Sequence, residues 1–261
     1  MSPVRRRALL AGLGLLAAGC ASTLPPAPAP QPPARATRVH SAARGTEVNL
    51  VITRPTGAPD GLPVCVALHG RGSNAGFLEG IGLQAALDDA VRAGVAPFAV
   101  AAVDGDHYWV DVGTGDDPQR MLADELPGWL VERGLGPVAA AFGISMGGFG
   151  ALRYARDHPE LRAVAVCSAA LFLSWGDAAA RKVFADRAQW ESHEPLRHTQ
   201  EVRVPTGVWC GNGDPFLQAA RDYAQAASPE VVRLTEGGHT NEYWQGVLPE
   251  VLAFVGQRIT R

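Results

Sequence analysis

Five stretches of strand length are apolar almost throughout, and each ends in glycine or another small residue. They are "LPVCVALHG" (62–70), "APFAVAAVDG" (96–105), "PVAAAFGIS" (137–145), "LRAVAVCSAA" (161–170) and "VPTGVWCG" (204–211). A strand apolar on both faces must be covered on both faces, which a sheet with one wet side cannot provide. The intervening segments are long enough for helices. Residues 77–93 carry Leu78, Ile81, Ala85, Ala86 and Val91 at helical spacing, and helices are also expected over 117–133, 146–157 and 215–227. Strand alternating with helix predicts an α/β fold: a mostly parallel sheet with helices on both faces.

Three further segments complete this frame. "TEVNLVITRP" (46–55) alternates and is expected at a sheet edge, "EVVRLTEGGH" (230–239) holds the last strand, and the last helix runs from 240 to the end. Residues 171–203 are too long for a plain connection and predict an irregular insertion over one end of the sheet. The chain has 261 residues, 47% of them hydrophobic, which suits one core and a single domain over 39–261. A formal net charge of −3 gives no concentrated basic face, so nucleic acid is not expected as a partner.

The first 38 residues differ in kind. Arg5, Arg6 and Arg7 precede an apolar stretch from Ala8 to Ala18, too short to span a bilayer as a helix, and this reads as an export signal over 1–19. "LAAGC" (16–20) resembles the bacterial lipobox, with Ala17 where leucine is commoner, and the resemblance implies lipidation of Cys20. Arg6-Arg7-Ala8-Leu9-Leu10 is also similar to a twin-arginine signal, so the export route stays open. Residues 20–38, rich in proline, predict an extended tether of about 50 Å at about 3.1 Å per residue. The expectation is an exported protein anchored in a membrane by lipid. Cys65, Cys167 and Cys210 fall in strand-like runs and are expected as buried thiols, with pairing left open.

Chemistry concentrates at strand ends. "GISMG" (143–147) is a G-x-S-x-G match directly after a strand and before a helix. Such a turn needs small neighbours and lifts the Ser145 hydroxyl above the sheet, with the Met146 N–H at a helix start where negative charge is favoured. A serine reacts only when a base takes its proton, and the base needs an acid to orient it. Asp214 follows a strand in "VWCGNGD", and His239 lies in the loop "EGGH" after the last strand. Glu236 is too near His239 in sequence to approach it from another strand. A second oxyanion donor is expected from "HGRGSNAG" (69–76), the Arg71 N–H first and Gly72 next, with His69 as a structural hydrogen bonder.

"LHGRGSNAG", "FGISMGGFGALRYA", "CGNGDPF" and "GGHTNEYW" together resemble the α/β-hydrolase superfamily. The resemblance runs from about residue 46 to the C-terminus. It is nearest to the esterase branch that holds S-formylglutathione hydrolases, feruloyl esterases and secreted mycolyltransferase antigens. It implies an α/β-hydrolase fold, an acyl-serine intermediate, two backbone oxyanion donors and no cofactor. The mycolyltransferases carry glutamate where Asp214 stands here, and the loops match no one member, so the substrate is left as a small-molecule, lipid or glycan ester. A carboxylesterase is the leading expectation. An acyltransferase to a sugar or lipid hydroxyl and a catalytically silent surface binder are the alternatives.

Two patterns point elsewhere at first sight. "HEPLRH" (193–198) spaces its histidines five apart with Pro195 between them, so they cannot share one helical face and no metal site is expected. "VDGDHYW" (103–109) puts Tyr108 where a calcium loop needs an oxygen ligand, and is expected instead as a loop near the nucleophile. Tyr108, Trp109 and Trp175 are candidate substrate contacts, whereas Phe184 and Trp190 are expected to pack the insertion.

Overall fold

The computed structural model describes residues 36–113 and 115–259. The expected export signal (1–19), the tether up to residue 35 and Cys20 lie outside the described residues.

Eight strands form one sheet in the order β1-β2-β4-β3-β5-β6-β7-β8. They are β1 (Thr37–Ser41), β2 (Thr46–Thr53), β3 (Val64–Leu68), β4 (Ala99–Val103), β5 (Val138–Ile144), β6 (Ala163–Cys167), β7 (Thr206–Gly211) and β8 (Val231–Thr235). β1 and β2 pair antiparallel, as do β2 and β4, and every other pairing is parallel. β2, expected at the edge, is covered by β1, so the edge strand is "TRVHS". That strand is short and largely exposed, which hides it in the sequence.

The apolar runs divide by residue parity. Val64, Val66 and Leu68 of β3 pack on one face with Met121, Leu126, Phe149 and Tyr223 from the helical stretch 118–131 and the helices Met146–Asp157 and Leu217–Ala227. Cys65 and Ala67 pack on the other with Leu83, Leu87, Leu248 and Val251 from the helices Leu83–Arg92 and Asn241–Ile259. Helices therefore cover both faces, as buried parallel strands require. The helix expected over 77–93 is broken by Gly82 at φ 88°, and the one over 117–133 contains a π-helical turn, Met121–Glu125. Residues 171–203 hold two short α-helices, Trp175–Ala179 and Arg187–His193, and a 3-10 turn, Pro195–Arg197, in otherwise irregular chain. Cys65, Cys167 and Cys210 are buried free thiols.

The sheet order reverses at β3, which lies between β4 and β5. At such a switch the connections leave β3 and β5 on opposite faces and open a crevice at their C-terminal ends. Ser145 and the loop "HGRGSNAG" both start there.

Candidate active site

Ser145 directly follows β5 and has φ 56° and ψ −118°, outside the ordinary regions for an L-residue. The neighbouring contacts explain why its flanking residues are glycines. A Cβ on Gly143 would lie 2.0 Å from the Gly147 oxygen, and one on Gly147 would lie 1.8 Å from the Leu68 oxygen. Neither clash could be relieved without moving β3 or the turn. The strained turn is fastened by the Ser145 N–H donating to the Cys167 oxygen (3.0 Å) and the Ala170 N–H donating to the Ser145 oxygen (3.0 Å). Strain of this kind costs on the order of 1–3 kcal/mol and persists only where its surroundings hold it.

Three distant residues meet above the sheet. His239 Nε2 is 2.9 Å from Ser145 Oγ, and His239 Nδ1 is 2.9 Å from Asp214 Oδ2. Their loops are joined: Gly213 N–H donates to the Gly237 oxygen (2.8 Å) and Asn212 N–H to the Thr235 oxygen (2.7 Å). The Asp214 side chain is wholly buried, while that of His239 is 25% exposed. Burial alone would push the Asp214 carboxyl up. Hydrogen bonds from His239, Ser168 and the Phe216 amide outweigh it and hold the group below the usual carboxylate range. The acid is therefore charged and able to stabilise an imidazolium, and the imidazole can take a proton from the serine. Glu236, the weaker candidate acid, is exposed.

The loop after β3 passes close to the serine: a Cβ on Gly70 would stand 3.3 Å from Ser145 Cβ. His69 clamps this loop. Its Nδ1 lies 2.8 Å from the Gly70 oxygen, and its Nε2 accepts from the Gly105 N–H at 3.0 Å. These two partners assign the proton to Nδ1. Burial holds the ring's pKa below the usual histidine value, so the neutral form is kept. At the far end of the loop, Asp104 Oδ1 accepts from the Ala75 N–H (2.8 Å). Its other oxygen binds the Asn49 amide and side chain, so Asp104 is a loop fastener. Among the described residues the Arg71 N–H has no acceptor, nor does the Met146 N–H, so both can serve an oxyanion.

The candidate substrate contacts fare differently. Trp109, expected in the pocket, is fully buried and packs where a Cβ on Gly105 or Gly150 would collide with it at 2.3 and 2.5 Å. Its Nε1 donates to the His69 oxygen at 3.3 Å. The cause is local backbone: His107, Tyr108 and Trp109 all have φ between 50° and 58°, which turns the indole into the core. Tyr108 is likewise buried, its ring against Phe149 and Phe172, with Arg181 and Arg71 both near enough to act on its phenol. Trp175 packs on Trp190 inside the insertion at 6.2 Å between rings. Phe184 and Trp190 are buried, and Trp190 Nε1 donates to Glu194 at 3.0 Å.

The rings that flank the imidazole are Phe216 (5.4 Å) and Trp244 (5.0 Å), neither singled out in the sequence. Trp244 Nε1 donates to Ser168 Oγ at 3.0 Å, which leaves the Ser168 proton for Asp214. Ser168 follows β6, which lies between the strands that carry Ser145 and Asp214. That position was the available signal. In "HEPLRH", His198 Nε2 faces the Glu191 oxygen, and burial pushes His193 down to about 4.

This sheet order, with a serine on a strained turn joined through histidine to a buried aspartate, defines an α/β-hydrolase. Residues 41–255 match the family described as "Putative esterase", and the chain belongs to that family of serine esterase-type hydrolases. No curated protein matches the chain. A ferulic acid esterase structure superposes with a TM-score of 0.72 at 19% identity, covering 86% of this chain and 97% of its own. An S-formylglutathione hydrolase from Agrobacterium tumefaciens gives 0.72 at 17% identity, with 86% and 94% covered. MPT51 (FbpC1) of Mycobacterium tuberculosis gives 0.72 at 17% identity, with 88% and 100% covered.

Proposed function

We propose that the chain is a carboxylesterase working through an acyl-serine intermediate, exported and held at a membrane by a lipid on Cys20. The observation that carries the catalytic part is the pair of 2.9 Å contacts joining Ser145 Oγ to His239 and His239 to Asp214. Ser145 Oγ attacks the ester carbonyl carbon while His239 Nε2 takes the hydroxyl proton. The carbonyl oxygen becomes an oxyanion held by the Met146 and Arg71 N–H groups. Collapse expels the alcohol, which leaves with the proton from His239. Water then attacks the acyl-serine with His239 again as base, the bond from Ser145 Oγ to the acyl carbon breaks as His239 returns the proton to Oγ, and the acid is released. Asp214 keeps the ring in the productive tautomer throughout.

A fluorophosphonate probe tests this directly. It should label the native protein once, on Ser145, and leave Ser145→Ala unlabelled. Labelling of neither, with no turnover across short, long and aromatic esters, would favour a silent binding protein instead. Products formed with an added alcohol separate hydrolysis from acyl transfer.

The anchor rests on the basic start, the apolar stretch 8–18 and "LAAGC" ahead of proline-rich chain. Metabolic labelling with palmitate should mark the wild-type chain and not Cys20→Ala, which should move from the membrane fraction to the soluble one.

A further inference from the structure

A cavity of about 230 Å³ opens beside the proposed catalytic residues, several times the roughly 30 Å³ that one water takes up in the liquid. Its walls include Leu171, Phe172, Pro215 and Phe216, and it also contains Asp177 and Arg181. Phe216 is the ring set against His239, so the cavity begins one aromatic side chain away from the imidazole.

Arg181 is the unusual member. Its guanidinium stands 5.5 Å from the centre of the Phe172 ring and 5.9 Å from that of Phe216. Its Nε is buried and has no hydrogen-bond partner among the described residues. The Nε edge is sealed from solvent, so an anion in the cavity would meet the Nη edge of the same guanidinium, which has no ion-pair partner among the described residues. The nearest carboxylate by sequence, Asp177, lies one helical turn earlier, yet it accepts from Ser174 Oγ at 2.7 Å instead. The cavity has two charged members: Asp177, whose Oδ2 is engaged by Ser174, and Arg181, whose guanidinium makes no hydrogen bond among the described residues.

We propose that this cavity is a subsite for a carboxylate carried by the ester substrate, with Arg181 as its ion-pair partner and Phe172 and Phe216 packing the short aliphatic chain between carboxylate and ester. This deepens the esterase reading and rests on it. The shared chemistry is an ester with a carboxylate a few carbons from the scissile bond, and the carboxylate can belong to the acyl side or to the leaving alcohol.

Two matched pairs of esters distinguish these sources, each followed by titration of released acid. Monoethyl adipate against ethyl hexanoate probes the acyl side, and 6-acetoxyhexanoate against hexyl acetate the alcohol side. In at least one pair kcat/KM should favour the anionic ester by roughly 10–100-fold, the range for a hydrogen bond to a charged group. That ratio should fall to near one in Arg181→Met, which keeps a long side chain over the two rings, and recover in part in Arg181→Lys.

Equal kcat/KM within both pairs, or a preference that survives in Arg181→Met, would overturn the subsite while leaving the esterase reading intact. The second result would mean that a group other than Arg181 selects the carboxylate. Should no ester turn over, calorimetry decides: free adipate must bind more tightly than hexanoate, and that margin must vanish in Arg181→Met. Equal binding of the two overturns the proposal.

Discussion

The His69 Nδ1–H donates to the Gly70 carbonyl oxygen at 2.8 Å, and that oxygen belongs to the same planar peptide as the Arg71 N–H. In a trans peptide the two groups point in opposite directions. Fixing one therefore aims the other, and a side chain outside the Ser145–His239–Asp214 group sets the direction of the proposed oxyanion donor. Losing a whole donor costs about 10²–10³ in kcat in enzymes of this chemistry. His69→Phe, which keeps a ring against Trp109, should lower kcat by about 10–10²-fold with little change in KM. A change in KM alone would mean that His69 supports substrate binding instead.

The relay through His239 sets a sharper expectation. Ser145→Ala should lower ester turnover by about 10³–10⁶-fold with an unchanged circular dichroism spectrum. Asp214→Asn should cost about 10⁴-fold in kcat, because the amide favours the wrong imidazole tautomer. Parallel steady-state kinetics on the two variants check both, and an active Ser145→Ala would remove the proposed nucleophile.

Trp109 separates packing from recognition. Its indole is fully buried, and cutting such a side chain to alanine costs about 3–5 kcal/mol. Trp109→Ala should lose that much stability in urea unfolding, whereas Trp109→Phe should fold and keep the wild-type preference among ester chain lengths. A shifted preference in Trp109→Phe would put the ring back in the pocket.

Glu194 gives a pH signature. Burial pushes its carboxyl up to about 7, against the pull of hydrogen bonds from Trp190 Nε1 and the Phe172 and Leu196 amides. The folded chain thus holds this proton more tightly than the unfolded one, whose carboxyl titrates near 4.3. The stability it contributes is fully present below about pH 4.3 and is lost as pH rises through about 7. The Tm of Glu194→Gln should be flatter than wild type over that window in calorimetry, whatever its absolute value.

Sequence and structure agree where a single local rule decides. Gly143 and Gly147 admit no side chain, and their spacing around Ser145 gained its meaning from the strand before it and the helix after it. Asp214 and His239 were legible from strand order, because residues after parallel strands collect at one rim. The orientation of Trp109 was hidden, since three successive left-handed residues turn it inward and nothing in "DHYW" announces them. Phe216 and Trp244 were hidden as well, because aromatic residues beside a catalytic loop look the same as core. The edge strand Thr37–Ser41 was missed because a short, polar, exposed strand carries no apolar pattern.

The hydrogen bonds from Gly213 to Gly237 and from Asn212 to Thr235 fasten to each other the two loops that bear Asp214 and His239. The segment 171–203, which supplies Arg181, takes no part in that union. On the proposed subsite, the choice of substrate is redrawn by editing one surface excursion, while the residues proposed to pass the proton stay as they are.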